Sequence, residues 1–386
     1  MMRTTAVLAY AVVAVCFAAI SAPACAQETW DETLKDTLSS WWTSAKSTAR
    51  IATLNPVTIN MCWAWGKNAL VADPAVVAHF QKIPGNEKVT INFPRYPSGK
   101  LLESVDVMNQ WESGKLNCST VSPDASILGL RSLKWNAAEQ MMYASSMIIA
   151  VVNPQAAEVL GKFYHKDPKA LTFVDLIAVA GKNWADLAPG DKEVANWGTV
   201  KGHAADCARS VSCQVVAVAL AYSASGHTNM TGRELFDPKV KSVVNSLRQN
   251  VDHTAALTGQ LMEKCFRNPV ECDFFFTDES AIAEIDKHIP GATILYNDRV
   301  IQADQVLLVT STDPDQREAA VRFIEHIMSP PIQKLIAEKY GFRPGTVIDV
   351  QGPVQNLKQL RLGIVRDLNP FLVKAVLAAV TTPTLP

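Results

Sequence analysis

Val57-Thr-Ile-Asn-Met-Cys-Trp63, Asp73-Pro-Ala-Val-Val-Ala-His-Phe-Gln81, Val89-Thr-Ile-Asn-Phe93, Leu101-Leu-Glu-Ser-Val-Asp-Val-Met-Asn-Gln-Trp111 and Leu116-Asn-Cys-Ser-Thr-Val121 follow one another along the chain. The first, third and fifth segments are short, apolar and rich in β-branched residues, the pattern of strands. Ala75–Gln81 reads as a helix with Asp73 as N-cap and Pro74 at its first position. Leu101–Trp111 reads as a second helix, closed by Gly114. A β-α-β-α-β order of this kind implies a parallel sheet with helices over its faces.

Working outward, Tyr143–Val152 is an apolar run of strand character, and a second set of elements follows it. Helices are expected near Thr172–Ala180, over Val211–Ser223, over Pro238–Asn250 and from near Asp278. Strands are expected at Trp197–Lys201, Cys272–Phe276 and Val306–Val309. Arg317–Met328 and Pro331–Tyr340 close the pattern as helices. A length of 386 residues is too great for one ordinary core, so two lobes are expected. The chain would cross between them near Met142–Val151 and again near Val300–Thr310.

Upstream, Arg3 precedes an apolar run, Ala6–Ala22, and then Ala24-Cys25-Ala26. This is the layout of a secretory signal peptide cut before Gln27. Trp30, Leu34, Leu38, Trp41 and Trp42 recur at helical spacing in a short N-terminal extension. The resulting division is 1–26 signal peptide, 27–54 helical extension, 55–143 first part of lobe one, 144–304 lobe two, and 305–386 return to lobe one with C-terminal helices. A periplasmic or extracellular location follows from the signal.

Hydrophobic residues make up 48% of the chain and charged residues 19%, a globular composition. Net charge is −1, from 36 basic and 37 acidic residues, without a basic stripe, which argues against nucleic acid as a partner. Removing the signal would leave Cys62, Cys118, Cys207, Cys213, Cys265 and Cys272. An even count in an exported chain points to disulfides. Short spacings suggest Cys207–Cys213 and Cys265–Cys272, which leaves Cys62–Cys118, one of fifteen possible pairings. No Cys-x-x-Cys pair or ligand-spaced His supports a metal site.

Asp315-Gln-Arg-Glu-Ala-Ala-Val-Arg-Phe-Ile-Glu-His-Ile-Met-Ser-Pro330, followed by Gln333 and Gly341-Phe-Arg-Pro344, resembles the closing segment of the extracellular solute-binding proteins of ABC importers. Tyr96-Pro-Ser-Gly-Lys100 and Val121-Ser-Pro-Asp124 are similar to that family's lobe-one turns. Trp197-Gly-Thr-Val-Lys-Gly-His203 is similar to its lobe-two strand and loop, with Ala204-Ala-Asp-Cys-Ala-Arg-Ser-Val-Ser212 standing where the family has a Ser- and Asn-rich turn. The resemblance implies an α/β protein with two lobes, each a mixed, mostly parallel sheet flanked by helices, of the type II periplasmic binding protein kind. It also implies an ABC-type permease as partner.

In open parallel sheets, ligands bind beyond the carboxyl ends of strands, beside helix N-termini that offer free N–H groups. Four loops would converge there: Trp63–Asn68, Ser98–Lys100, Ser122–Asp124 and Thr277–Ser280. A fifth, His203–Ser212, would close from lobe two. The candidate ligand contacts are Trp63, Trp65, Lys67, Ser98, Lys100, Ser122, Asp124, His203, Ser210, Ser212, Thr277, Asp278 and Ser280. Each also has a plain reading: a tryptophan in the core, a serine capping a helix, a lysine in solvent, an acid complementing a helix dipole. G-x-S-x-G, H-E-x-x-H, Walker A and G-x-G-x-x-G are absent from the sequence. The expectation is therefore a monomeric, non-enzymatic, cofactor-free binder of a small polar or anionic solute. A sensor subunit for a signalling receptor and an exported hydrolase are the alternatives.

Overall fold

Strand β1 (Val57–Trp63) is the centre of the first parallel unit. It pairs with β2 (Val89–Asn92), Val57 lying opposite Val89, and with β3 (Thr120–Ser122), Trp63 lying opposite Ser122. The computed structural model describes residues 55–63, 70, 72–93, 104–122, 140–227, 230, 233–345, 363–364 and 370–381. The expected signal peptide and the expected N-terminal helix fall outside them. Helix α1 (Pro74–Gln81) connects β1 to β2, and its cap is as expected: the Asp73 carboxylate accepts the Ala75 N–H at 2.8 Å. Helix α2 (Ser104–Glu112) connects β2 to β3.

Strand β4 (Gln140–Val152) is the longest strand among the described residues and leads into the second lobe. There follow α3 (Pro154–Tyr164), α4 (Phe173–Val179), α5 (Trp184–Leu187), α6 (Lys192–Ala195), β5 (Gly202–His203), α7 (Val211–Ser225), α8 (Pro238–Asn250), β6 (Val251–Asp252), α9 (Thr258–Arg267), β7 (Phe274–Asp278), α10 (Ile282–His288), β8 (Thr293–Tyr296) and β9 (Arg299–Val300). Strand β10 (Gln302–Val309) returns the chain to lobe one. It is followed by α11 (Pro314–Ile327), α12 (Pro330–Glu338), β11 (Arg343–Pro344), β12 (Gly363–Ile364) and α13 (Pro370–Thr381).

The sheet order is β2-β1-β3-β10-β4-β7-β5-β6, with β8 and β11 also paired to β4. Both lobes bury their sheets on two faces, and the residue alternation shows it. On β1, Ile59, Met61 and Trp63 join one core cluster with Phe80, Phe323 and Ile336, while Cys62 joins another with Val107 and Val121. On β7, Phe274 and Phe276 pack with Leu220, Leu247 and Phe173, while Phe275 packs with Leu261 and Ile285. A period of two with both faces apolar is the signature of a strand covered by helices on either side.

Two of the expected elements are displaced. The strand read at Trp197–Lys201 is absent: Gly198 turns the chain at φ +80°, and the segment pairs locally, Val200 N–H to Lys182 O at 2.8 Å and Trp184 N–H to Gly198 O at 2.9 Å. Only Gly202 and His203 enter the sheet, and there a Cβ on Gly202 would lie 2.2 Å from the Phe274 ring, so no larger residue fits. The strand read at Cys272–Phe276 runs instead from Phe274 to Asp278, and Asp278 then caps a 3-10 turn, Glu279–Ala281, that leads straight into α10, so the helix start expected near Asp278 is present.

Three disulfides are formed: Cys62–Cys118, Cys207–Cys213 and Cys265–Cys272. The first joins β1 to the residues just before β3. The second closes the loop entering α7, and the third ties the end of α9 to the approach to β7.

Candidate functional site

Strand direction sets up the site. Strands β1 and β3 run the same way as β4, and Val121 is level with Gln140 through their shared partner Leu308. The carboxyl ends of β1 and β3 therefore stop near the start of β4. Strand β7 runs the opposite way, and its carboxyl end, Asp278, lies opposite Ile148. Two sets of strand ends thus face one another along the middle of β4, about 20 Å apart at the usual rise of an extended strand. That is the place where open α/β sheets take their ligands.

On the lobe-two side a chain of hydroxyls meets a carboxylate. Ser210 Oγ lies 3.0 Å from Thr258 Oγ1, Thr258 donates to Ser212 Oγ at 3.1 Å, and Ser212 donates to Asp278 Oδ2 at 3.2 Å. Ser210, Ser212 and Thr258 are all buried. Ser210 is the N-cap of α7 but makes no side-chain cap bond, because its hydroxyl turns to Thr258 instead. Helix α9 begins after Leu257, which also supplies no side-chain cap. Two helix N-termini therefore meet at one polar cluster with no side-chain cap on their first-turn N–H groups. The Cys207–Cys213 bridge spans the turn that carries Ser210 and Ser212.

On the lobe-one side Trp63 is buried. Its indole N–H donates to Thr120 Oγ1 at 3.0 Å, and its ring lies 5.4 Å from that of Tyr143. Ser122 is buried with its Oγ 3.3 Å from Tyr143 Oη. Trp63, Ser122 and Tyr143 thus form a continuous patch at the ends of β1 and β3. Trp65, Lys67, Ser98, Lys100 and Asp124 lie outside the described residues.

The other candidates stand apart from the hydroxyl cluster. Thr277 is buried on the opposite face of β7, where its Oγ1 points at the Met262 sulfur at 3.1 Å. Ser280 is half-buried, and its carbonyl oxygen would lie 2.8 Å from a Cβ on Gly341. His203 sits at the β5–β6 edge: Nε2 is 2.6 Å from Glu271 O and Nδ1 is 3.1 Å from Asp252 Oδ2. Burial pushes the His203 pKa down, against the pull of these two oxygens. Burial works against ionisation of Asp252, yet hydrogen bonds from Lys264 and Thr254 hold its carboxyl well below the usual range.

Thr258 and Tyr143 escape the sequence reading. Helix α9 starts with no Ser, Asp or Asn cap and carries Gly259 in its first turn, so its start signal is missing. Leu261 and Cys265, four apart and buried, are the trace that a helix was there. Among the described residues, Cys207, Cys213 and His253 converge as metal-type donors, but both sulfurs are held in a disulfide and offer no thiolate. No helix among the described residues is long and apolar enough to cross a membrane.

No family model and no curated protein matches the chain. Solved structures do match. The sulfate-binding protein SubI from Mycobacterium tuberculosis superposes with a TM-score of 0.51 at 16% identity, covering 75% of this chain and 87% of its own. The substrate-binding protein of an ABC transporter from Agrobacterium tumefaciens gives 0.53 at 14% identity, covering 86% and 96%. Iron-bound HitA from Pseudomonas aeruginosa gives 0.54 at 13% identity, covering 84% and 98%. At these identities the likeness speaks to fold alone, and together with two sets of strand ends facing one another along a shared crossover strand, it gives the chain the two-lobed α/β fold of type II periplasmic binding proteins.

Proposed function

We propose that this chain is an exported solute-binding protein. It would hold a small polar or anionic ligand between lobe one, 55–143 and 305–345, and lobe two, 144–304, on whose core the C-terminal helix packs through Val376 and Val380, and deliver it to an ABC-type membrane permease. The observation that carries the reading is the Ser210–Thr258–Ser212–Asp278 cluster at two helix N-termini without side-chain caps. Hydroxyls and free helix N–H groups suit an oxyanion or a polar oxygen, and the Asp278 carboxylate suits a hydrogen-bond donor on the same ligand. Contact with both lobes would favour the closed form, since a ligand shifts a conformational equilibrium only through its differential affinity for the two states. Three disulfides fit an oxidising compartment outside the cytosol.

The test is thermal unfolding of the purified protein across oxyanions, amino acids, sugars, organic acids and polyamines. A ligand at a hundredfold excess over its dissociation constant stabilises the folded state by about 2.7 kcal/mol. One chemical class raising the melting temperature, with the compound recovered unaltered, supports the reading. Turnover of a compound, or no shift in protein freed of copurified ligand, overturns it.

A further inference from the structure

Glu279 follows Asp278 directly, and its side chain is fully buried at 0% exposure. Its carboxylate collects four donors. Oε1 accepts the Met147 N–H at 3.0 Å and Arg343 Nε at 2.8 Å; Oε2 accepts Arg343 Nη2 at 2.9 Å and Tyr296 Oη at 3.3 Å. The arginine is bidentate, the geometry in which a buried guanidinium–carboxylate pair is most sharply oriented. Burial raises the Glu279 pKa, and the Arg343 hydrogen bonds oppose that rise.

What these donors belong to gives the pair its meaning. Met147 lies in the middle of β4, between the two sets of strand ends. Tyr296 ends β8, a lobe-two strand. Arg343 comes from β11, just after Phe342, which packs against the lobe-one core. Two residues beyond Glu279, Ala281 and Ile282 belong to a lobe-two core. Strands β7 and β11 share the edge of β4 that faces away from β10, placed end to end: Asp278 opposite Ile148, Arg343 opposite Ser145. The Glu279–Arg343 pair bridges that seam. Gly341 is pressed on the same turn, where a Cβ would lie 2.8 Å from Ser280 O, and its φ is +66°. On the other edge of β4, the register of β10 slips between Gln305 and Val306, and such an irregularity marks a local bend.

The geometry points to Glu279 and Arg343 as a positioning pair that fixes the angle between the lobes and ties it to the lobe-two wall through the adjacent Asp278. This deepens the solute-capture reading by naming what the capture must move. The Gly341-Phe-Arg-Pro344 segment singled out in the sequence thereby gains a physical role: Phe342 anchors in lobe one, Gly341 lets the chain approach, and Arg343 grips the first residue past the lobe-two strand. Asp278 touches Ser212 on one side of the peptide bond while Glu279 holds the crossover on the other. Displacement of the wall is transmitted to the junction within a single residue.

The experiment uses ligand-free protein, so it stands independently of whether any solute is found. Spin labels at Lys88→Cys in lobe one and Lys192→Cys in lobe two, both exposed positions, report the interlobe distance, and hydrogen exchange reports β1 and β7 separately. With Glu279→Gln the distance distribution is expected to shift and broaden, while amides in β1 and β7 lose protection to the same extent, as an overall loss of stability requires. Arg343→Lys, which keeps the charge but not the fork, is expected to fall between wild type and Glu279→Gln. An unchanged distribution in Glu279→Gln overturns the proposal. So does a loss of protection confined to β1 or to β7, because the distance change would then come from one lobe opening locally rather than from a change of angle. A failed solute panel with a shifted distance distribution would remove the capture reading and leave the positioning pair standing.

Discussion

Two of the acid–cation clusters among the described residues are built from similar parts, and they behave differently because water reaches only one of them. At the lobe junction, Glu279 and Arg343 are 0% and 13% exposed, and Arg343 donates two hydrogen bonds to the Glu279 carboxylate. At the β5–β6 edge, Asp252 and Lys264 are 30% and 39% exposed and meet through one oxygen at 2.6 Å, with His203 alongside. Burial dominates at the junction, so Glu279 is harder to ionise than a free glutamate despite its arginine. At the edge, burial is outweighed by the hydrogen bonds of Lys264 and Thr254, and Asp252 ionises more readily than a free aspartate. A buried pair is costly to break because the surviving charge is stranded, whereas an exposed pair is screened and worth little.

The largest effect should therefore come from breaking the junction pair. Glu279→Ala or Arg343→Met alone is expected to cost about 3–5 kcal/mol in urea unfolding. The double variant Glu279→Leu/Arg343→Met should recover most of that loss, since neither charge is left buried. Equal losses in the single and double variants would mean the cost lies in packing.

A buried imidazole with no carboxylate partner sharpens the comparison. His326 in lobe one donates from Nε2 to Val76 O at 3.0 Å, and its buried Nδ1 has no partner. Burial, followed by the neighbouring His79, lowers its pKa to about 4, although the Val76 hydrogen bond works the other way. A depressed folded-state pKa means the unfolded chain takes up the proton first. The His326 contribution is complete above about pH 6.5 and is lost as pH falls towards 4, by up to about 3 kcal/mol. His326→Gln should flatten the stability profile in that window, and an unchanged slope would assign it to other groups.

The edge cluster leans on Cys265–Cys272, whose two cysteines directly follow Lys264 and Glu271. Cys265→Ser/Cys272→Ser should cost about 2 kcal/mol, the chain-entropy value for so short a loop. It should also raise hydrogen exchange at His203, whose ring faces Glu271 O. The smallest effect belongs to Lys264→Ala, about 0–1 kcal/mol, fading with added salt. A larger, salt-independent loss would show that the edge behaves like the junction.

The same contrast explains what could be read from the sequence. Local chemistry was legible: Asp73-Pro74 marks the start of α1, and the alternation of Val57–Trp63 marks a strand buried on both faces. Pro238–Asn250 begins and ends where its Asp237 cap and apolar spacing place it. Contacts set by distant partners were not legible. Glu279 reads locally as an acid at a helix start, and only Arg343, 64 residues later, turns it into a buried ion pair. Thr258 joins Ser210 and Ser212 across 48 and 46 residues, and no periodicity carries that information. The Trp197–Lys201 segment misled because its aromatic and β-branched residues, Trp197, Thr199 and Val200, suit a strand, while Gly198 at positive φ sends the backbone back onto α4 and α5. In the candidate site, Ser212 and Asp278 were named together, but the hydroxyl relay that joins them through Thr258 needed the fold.

Capture of a solute between the lobes would draw them together, which small-angle X-ray scattering across the solute panel measures. One chemical class is expected to lower the radius of gyration, saturably and at one ligand per chain, with the ligand recovered unchanged. A compound that raises the melting temperature yet leaves the radius of gyration unaltered, or that is converted to product, would contradict it.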